Sequence, residues 1–217
     1  MKSLFDSTPL HKFKGRTVSE CLIIFTRYPE PGKTKTRLIP VLGAEGAASL
    51  QRQMTEQTIA KAKALQCERQ ISIAVYFSDG SQPLMENWLG TSVVYRRQSD
   101  GDLGTRIAVA FQTELEAGAQ GVVIIGTDCP DLTIEILTQA FEALKEHDLV
   151  LGPAADGGYY LIGLRRLFPE LFVEVSWGTS QVRQQTVEIA QSIDLAIAFL
   201  PLLNDIDRPE DLVGRSF

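Results

Sequence analysis

The sequence predicts an α/β fold in which a mostly parallel sheet lies between two layers of helices. Short continuous apolar runs recur along the chain, and such runs are typical of strands that are buried on both faces. Segments with one apolar helical face alternate with these runs, which is the order that strand–helix–strand units produce. No internal repeat, low-complexity tract or linker interrupts the alternation, so the 217 residues predict one main domain with a full core.

The N-terminal residues and the first strands and helices are predicted as follows. Residues 1–20 mix Lys, Ser, Pro and Asp without periodicity, so we expect a partly disordered arm followed by a single domain at 21–217. Apolar runs and amphipathic segments then predict, in order, a strand at 21–25, a helix at 44–66, a strand at 71–77, a short helix at 82–89, a strand at 92–96 and a helix from about 103.

The second half of the chain continues the same alternation. It predicts a strand at 122–125, a helix at 133–147, a strand at 149–154, an antiparallel partner for that strand within 156–164, a helix at 179–193 and a strand at 196–200. In the closing segment 204–212, Asp207 is followed by Pro209 and Glu210, which is the pattern of a helix start. Asp207 is therefore predicted to be a cap, and Asp205 to be the freer carboxylate.

Composition excludes several classes of protein. The net charge of −6 and the pI of about 5.0 disfavour nucleic-acid binding. No apolar run is long enough to span a bilayer, and the N-terminus lacks the apolar region of a signal peptide. The three cysteines (Cys21, Cys67 and Cys129) are scattered and odd in number, which predicts a reducing cytoplasm. His11 and His147 are too few and too far apart for a zinc site or a histidine-based triad.

Two aspartates follow the apolar run at 122–125. Asp128 comes after Gly126, and Asp131 follows three residues later, with Pro130 between them to end the strand. In an open α/β sheet, ligands bind just beyond the carboxyl ends of the strands. Two acids in that place suit a hard divalent cation that also holds a phosphate. The alternative is that Asp131 or Thr133 caps the next helix, whereas Asp128 lies too far before it to be the first cap.

The loop at 26–38, with the sequence TRYPEPGKTKTRL, concentrates positive charge directly after the first strand. Two prolines and Gly32 exclude regular structure there. Four cations, backbone N–H groups and the position at a strand end together predict a phosphate-binding loop, although a solvated charged loop is the alternative. The predicted nucleotide- and phosphate-binding residues of this loop are Thr26, Arg27, Gly32, Lys33, Lys35 and Arg37.

A second glycine-rich turn, at 98–107, opens a helix. Its two glycines and a nearby arginine suit a ribose, base or phosphate, while Asp102 on its own is typical of an N-cap. The predicted binding residues here are Gly101, Asp102, Leu103, Gly104 and Arg106.

A third turn places Asp156 beside two glycines. A glycine pair beside an acid allows a ligand to approach the backbone closely, or it makes a tight hairpin turn. We predict substrate contacts at Gly157, Gly158, Tyr159 and Trp177.

Six segments in this order resemble the bacterial DUF2064 family: RYPEPGKTKTRL, GDLGTRI, GTDCPDL, GPAADGGYYLIGL, SWGTS and DIDRPEDL. The resemblance covers about residues 21–213. The family belongs to the nucleotide-diphospho-sugar transferase superfamily with the GT-A fold, so the resemblance implies a three-layer, Rossmann-like domain with a mixed sheet.

The resemblance also implies roles for individual residues. Asp128 matches the loop ligand of a divalent metal, Mg²⁺ or Mn²⁺, and either Asp205 or Asp207 matches the second ligand. The basic loop matches the phosphate-binding loop, with Arg37 and Lys35 as its catalytic cations. This loop has one glycine and two prolines where nucleotidyltransferases have several glycines.

Two reactions are compatible with these residues. The first is glycosyl transfer from a nucleotide sugar to an unknown small-molecule acceptor, with Asp156 as the general base. The alternative is nucleotidyl transfer from a nucleoside triphosphate with release of pyrophosphate, and a third possibility is a non-catalytic binder of nucleotide sugars. In both reactions a metal and cations stabilise the charge that builds on the phosphates. No prediction of oligomeric state follows.

Overall fold

The structure is a computed structural model that describes residues 19–214. The predicted N-terminal arm lies outside the described residues except for Ser19 and Glu20, and Glu20 already belongs to the first strand. The described strands and helices are, in chain order, β1 (Glu20–Arg27), α1 (Ile39–Glu68), β2 (Ile71–Ser78), α2 (Gln82–Leu89), β3 (Val94–Arg97), α3 (Leu103–Glu116), β4 (Gly121–Ile125), α4 (Ile134–Ala143), β5 (Leu149–Pro153), β6 (Tyr159–Leu164), α5 (Val182–Ser192) and β7 (Ile197–Phe199).

These strands form one sheet in the order β3-β2-β1-β4-β6-β5-β7. Strand β6 is antiparallel to both of its neighbours, and every other neighbouring pair is parallel. The predicted mixed, mostly parallel sheet and the antiparallel pairing of β5 with β6 are therefore confirmed. Because β2 and β4 flank β1 on opposite sides, a topological switch point lies between β1 and β4, where a crevice for ligands is expected.

Helices cover both faces of the sheet, which confirms the three-layer architecture. Apolar side chains of α1, α2 and α4 pack on one face, and those of α3 and α5 pack on the other. Strand residues alternate between the two layers, as neighbouring Leu22 and Ile23 of β1 do. Between Ser19 and Gly214, no helix is both long and apolar enough to cross a membrane.

Helix α1 begins five residues before the predicted start at position 44. The sequence around Gly43 is typical of a helix breaker, and that glycine does leave the helical conformation with a φ of 71°. The helix nevertheless continues on both sides of this kink, and Pro40 occupies its first turn, where a missing N–H costs nothing. The predicted ends of other helices also shift, because α4 stops at Ala143 and α5 begins only at Val182.

Candidate functional site

A cleft runs along the carboxyl edge of the sheet, where β1 and β4 end. It consists of three adjoining cavities of about 380, 330 and 500 Å³, which we call the inner, middle and outer cavities. The inner cavity is lined by Arg27, Gln98 and Arg106 among others. Its wall is continuous with the middle cavity through residues that line both, namely Leu103, Gly126, Asp128, Tyr159 and Tyr160. The middle and outer cavities share Arg37, Asp156, Gly178, Thr179, Asp205 and Asp207.

The four cations of the basic loop at 26–38 lie in different environments. The Thr34 hydroxyl accepts from the Glu30 backbone N–H at 3.1 Å and donates to the Glu30 carbonyl at 3.2 Å, and these hydrogen bonds fix the loop conformation. Lys33 pairs with Glu30 at 2.8 Å and is not among the residues that line the three cavities. Arg27 lines the inner cavity and donates to the Lys33 carbonyl at 3.4 Å. Gly32 adopts a φ of 80°, a left-handed turn conformation that favours glycine.

Lys35 and Arg37 lie among the acids that were predicted to bind metal. The Lys35 Nζ atom is 2.7 Å from Asp128 Oδ1 and 4.0 Å from Asp207 Oδ1. Arg37 forms an ion pair with Asp207. The structure therefore brings two of the predicted phosphate-binding cations together with two of the predicted metal ligands, and these charges pair with one another.

The closing segment reaches the cleft, beside Lys35 and Asp128, because Ile206 is anchored in the core. Ile206 is fully buried in a small cluster with Leu38, Leu50 and Met54, and its backbone N–H donates to the Asp128 carbonyl at 2.8 Å. This contact joins residues that are far apart in sequence, and it places the carboxylates on either side of Ile206 at the cleft.

The prediction that Asp207 caps the closing turn is wrong by one position. The turn is a 3₁₀ helix at Pro209–Leu212 whose N-cap is Arg208. The Asp211 carboxylate accepts hydrogen bonds from the backbone N–H groups of Asp207 (3.0 Å) and Arg208 (2.7 Å), so it satisfies this helix start from within the turn. The Asp207 carboxylate is consequently left for Arg37 and Lys35.

Carboxylates crowd the middle and outer cavities. Burial, and then the negative charge of Asp156, raise the pKa of Asp205, with smaller contributions from Asp211 and Asp128. The same acids surround Cys129, and burial in the first place raises the pKa of its thiol. Cys129 is therefore a protonated packing residue rather than a nucleophile.

A divalent metal ion fits this chemistry. In the described part of the chain, no three His, Cys, Asp or Glu side chains are grouped as a ready-made metal site. However, Mg²⁺ is commonly held by one or two carboxylates together with waters and substrate phosphates. The negative charge of Asp128 contributes to the raised pKa of Asp205, and a cation between the two carboxylates would relieve this repulsion.

We expect Asp205→Asn to stabilise the ligand-free protein at pH 7. The folded state binds a proton at Asp205 more tightly than the unfolded chain does, so this group's contribution to stability is lost as the pH rises through its raised pKa. Removing the charge should raise the unfolding free energy by no more than about 1 kcal/mol, because solvent screens a partly buried carboxylate. Thermal unfolding of both proteins checks this, and the difference should vanish near pH 3, below the usual carboxyl pKa of about 3.9. A lower melting temperature at pH 7 would contradict the proposed repulsion.

The second glycine-rich turn caps the N-terminus of α3. Asp102 is confirmed as its N-cap, because Asp102 Oδ1 accepts from the backbone N–H and the hydroxyl of Thr105 at 2.8 and 2.7 Å. Arg106 lines the inner cavity, where its Nε donates to the Gly101 carbonyl at 2.9 Å. A Cβ atom on Gly104 would lie 2.4 Å from Trp177 Nε1, so this glycine allows the indole ring to pack on the helix start.

The glycine pair after Asp156 makes a tight turn between β5 and β6. Asp156 Oδ1 accepts from the Gly158 backbone N–H at 2.8 Å, which fixes the carboxylate at the cleft. Gly157 has a φ of 94°, and a Cβ there would lie 2.2 Å from the Ser180 carbonyl oxygen. The hairpin alternative is therefore confirmed, and the glycine is needed to pack against the segment before α5. Tyr159 and Trp177 meet edge to face, with ring centroids 6.5 Å apart, beside the middle cavity.

Sequence reasoning missed a buried polar network under the switch point. Gln51 Nε2 donates to the hydroxyls of Thr55 (3.1 Å) and Thr127 (3.0 Å), and Thr127 directly precedes Asp128. The predicted binding residue Thr26 is buried in the same network, 3.0 Å from the Thr55 hydroxyl. The available signal was a polar residue within the apolar face of α1, which indicates a buried polar group that needs partners.

Comparison with known families gives a match over the middle of the chain. The model of DUF2064, a family of uncharacterized proteins conserved in bacteria, matches residues 58–179. No protein of curated function matches this chain.

Solved structures provide further similarity. A candidate nucleotide-diphospho-sugar transferase from Desulfovibrio desulfuricans G20 is 34% identical and superposes with a TM-score of 0.84, covering 90% of this chain and 85% of that one. The inositol-1-phosphate CTP transferase from T. maritima is 14% identical, with a TM-score of 0.56 and 91% and 92% coverage. A manganese complex of Rv0371c from Mycobacterium tuberculosis H37Rv is also 14% identical, with a TM-score of 0.54 and 90% and 96% coverage. The latter two similarities concern the fold alone.

Proposed function

This chain belongs to the DUF2064 family within the nucleotide-diphospho-sugar transferase superfamily, and we propose that it is a transferase for a nucleotide-activated substrate. The reaction we favour is glycosyl transfer from a nucleotide sugar to a hydroxyl group of a small-molecule acceptor. The observation that carries the proposal is the convergence of cations and carboxylates on one continuous cleft at the switch point of the sheet.

The donor would occupy the inner and middle cavities. The inner cavity combines an apolar wall, to which Phe25 and Ile107 contribute, with the cations Arg27 and Arg106, which suits a nucleoside joined to phosphates. Arg37 lines the middle cavity, and its guanidinium is suited to a diphosphate because its donors form a planar fork.

A divalent metal would be held by Asp128 and Asp205. When bound, such a cation neutralises the charge of the diphosphate as it leaves. Arg37 would stabilise the same developing charge, because it is already positioned at the cleft before the reaction.

Asp156 would act as the general base on the acceptor. Its carboxylate lines both the middle and the outer cavity and is oriented by the Gly158 N–H. In the transfer, the acceptor oxygen forms a bond to the anomeric carbon and its proton passes to Asp156. The bond between the anomeric carbon and the phosphate oxygen breaks, and its electron pair leaves with the nucleoside diphosphate.

The charge of the outer cavity favours this reaction over transfer to an anion. Four aspartates line that cavity against two arginines, and the charge of a metal at Asp205 would be balanced by the donor diphosphate, so a phosphate or carboxylate acceptor would meet net repulsion, whereas a neutral hydroxyl would not. Nucleotidyl transfer from a nucleoside triphosphate is the second candidate, supported by the cations of the cleft and by the fold shared with a CTP transferase. A non-catalytic binder would use the same pocket without turnover.

A thermal-shift screen of nucleoside triphosphates and nucleotide sugars, each with Mg²⁺ and with Mn²⁺, tests the proposal. A ligand at 100 times its dissociation constant stabilises the folded state by roughly 2.7 kcal/mol, which gives a measurable shift. We expect a metal-dependent shift of the melting temperature with one kind of nucleotide sugar. If neither the nucleotide sugars nor the nucleoside triphosphates shift the melting temperature, the proposed function is wrong.

Arg37→Ala is expected to weaken nucleotide binding at least tenfold. A charge-assisted hydrogen bond contributes about 1.5–3 kcal/mol, and the stability of the ligand-free protein should change little because the Arg37 side chain is 62% exposed. Isothermal titration with the ligand found in the screen measures the loss. Lys33→Ala is the matched control, since Lys33 belongs to the same loop but pairs with Glu30 instead of lining the cleft. Equal losses in both variants would indicate a general loop effect.

A further inference from the structure

Lys35 differs from the other cations of its loop in being buried. Its side chain is only 4% exposed, whereas that of Arg37, two residues later, is 62% exposed. A buried ammonium group is costly unless it is paired and hydrogen-bonded. The contacts of Lys35 should therefore explain why the chain keeps a charge at this position.

The Lys35 ammonium joins three segments that are distant in sequence. It extends from the loop after β1 and donates to the backbone carbonyl of Ile206 in the closing segment. It also lies 2.7 Å from Asp128 Oδ1 in the loop after β4, and 4.0 Å from Asp207 Oδ1. These contacts satisfy the group within the protein, and they connect the loop that carries Asp128 to the segment that carries Asp205.

The loop backbone fixes this arrangement. Lys35 adopts a left-handed conformation with a φ of 49°, which is unfavourable for a residue with a side chain and persists only where the surroundings require it. Leu38, in the 3₁₀ turn that follows, packs on the buried Ile206. To reach a phosphate in the open cleft, Lys35 would have to leave Ile206 and Asp128, whereas Arg37 would give up only an exposed ion pair.

We propose that Lys35 is a positioning residue, which holds Asp128 and the segment of Asp205 in place for the metal, rather than a ligand of the substrate phosphates. This inference rests on the proposed function, because it assumes that the two carboxylates bind a divalent cation. It assigns different roles to the two predicted catalytic cations: Arg37 binds the diphosphate, and Lys35 holds the metal-binding carboxylates in position.

The two candidate roles of Lys35, as a countercharge or phosphate ligand and as a positioning residue, predict opposite effects of removing its ammonium group on metal affinity. If Lys35 were only a countercharge for the acids, or a phosphate ligand, Lys35→Met would leave the affinity for a free metal ion unchanged or raise it. If Lys35 positions the ligands, the same variant should weaken metal binding although it removes a nearby positive charge. Substitution of residues that orient metal ligands typically costs 10–100-fold in metal affinity.

The experiment is a titration of the full-length chain with Mn²⁺ alone, followed by electron paramagnetic resonance of the free ion. We expect Lys35→Met to weaken Mn²⁺ binding at least tenfold. Lys35→Arg should recover part of the affinity, because it keeps both the charge and the donors. Lys33→Met is the matched control: it also removes a cation of the same loop next to an acid, Glu30, but it should not weaken Mn²⁺ binding.

A cooperative thermal transition confirms that each variant is folded before it is titrated. If Lys35→Met does not fold, Lys35→Gln, which keeps a shorter N–H donor, takes its place with the same expectation. Unchanged or tighter Mn²⁺ binding by the folded variant would overturn the inference while the proposed function stands. Absence of Mn²⁺ binding by the wild-type protein would instead overturn the metal site, and the positioning role with it.

Discussion

Asp128→Asn is expected to abolish metal-dependent nucleotide binding while leaving the fold intact. The Asp128 side chain is 49% exposed and lies where the inner and middle cavities meet. Asparagine removes the charge that a hard cation requires. It keeps an oxygen that can still accept from Lys35, and Asp207 remains 4.0 Å from the ammonium group, so the variant should fold, although with reduced stability because Lys35 loses its nearest countercharge. Nucleotide titrations with and without Mg²⁺, and the thermal shift at saturating ligand, measure the effect.

Asp131→Asn is the control for this variant. Asp131 follows Asp128 by three residues in the same loop, but it is not among the residues that line the three cavities. The Asp131→Asn variant should therefore bind the nucleotide in the presence of metal with the wild-type affinity. Unchanged metal-dependent affinity in Asp128→Asn would falsify the role of Asp128 as a metal ligand.

Asp156→Asn is expected to reduce turnover by about 10²–10⁴-fold, the usual contribution of a general base. The affinity for the nucleotide sugar should persist, because the base acts on the acceptor and not on the diphosphate. Asparagine can still accept the hydrogen bond from the Gly158 N–H, so the turn between β5 and β6 should be preserved. Steady-state release of the nucleoside diphosphate, together with donor titration, separates these two effects.

A control for the loss of one negative charge is available at Asp194. This exposed residue lies beyond the end of α5, and its φ of 56° suits asparagine. Asp194→Asn should turn over at the wild-type rate. If Asp156→Asn does so as well, the acceptor is deprotonated by another group or needs no base.

The architecture could be predicted from local patterns. The buried run at 122–125 and the following Gly126 located the end of β4, and an open α/β sheet places its ligand crevice at such strand ends. The basic loop and the Asp128 loop were identified by charged residues that follow strand ends, and the closing segment by its resemblance to the family. Their convergence on one cleft followed from the fold.

Long-range partners could not be predicted in the same way. A lysine in a charged loop gives no signal that Ile206, 171 residues later, will bury it. The cap of the closing turn was misassigned because Asp207 and Asp211 both fit a helix start, and only tertiary contacts with Arg37 distinguish them. Gln51 was missed for a similar reason, since one of its hydroxyl partners, Thr127, comes from the loop after β4.

The central claim is that the cleft transfers a glycosyl group, and analysis of the released product tests it most directly. The full-length protein would be incubated with Mg²⁺ or Mn²⁺, a panel of nucleotide sugars and nucleoside triphosphates, and both neutral hydroxyl and phosphorylated acceptors. The account predicts acceptor-dependent release of a nucleoside diphosphate from a nucleotide sugar, and loss of that release in Asp156→Asn with donor binding retained. Acceptor-dependent release of pyrophosphate from a nucleoside triphosphate would contradict it.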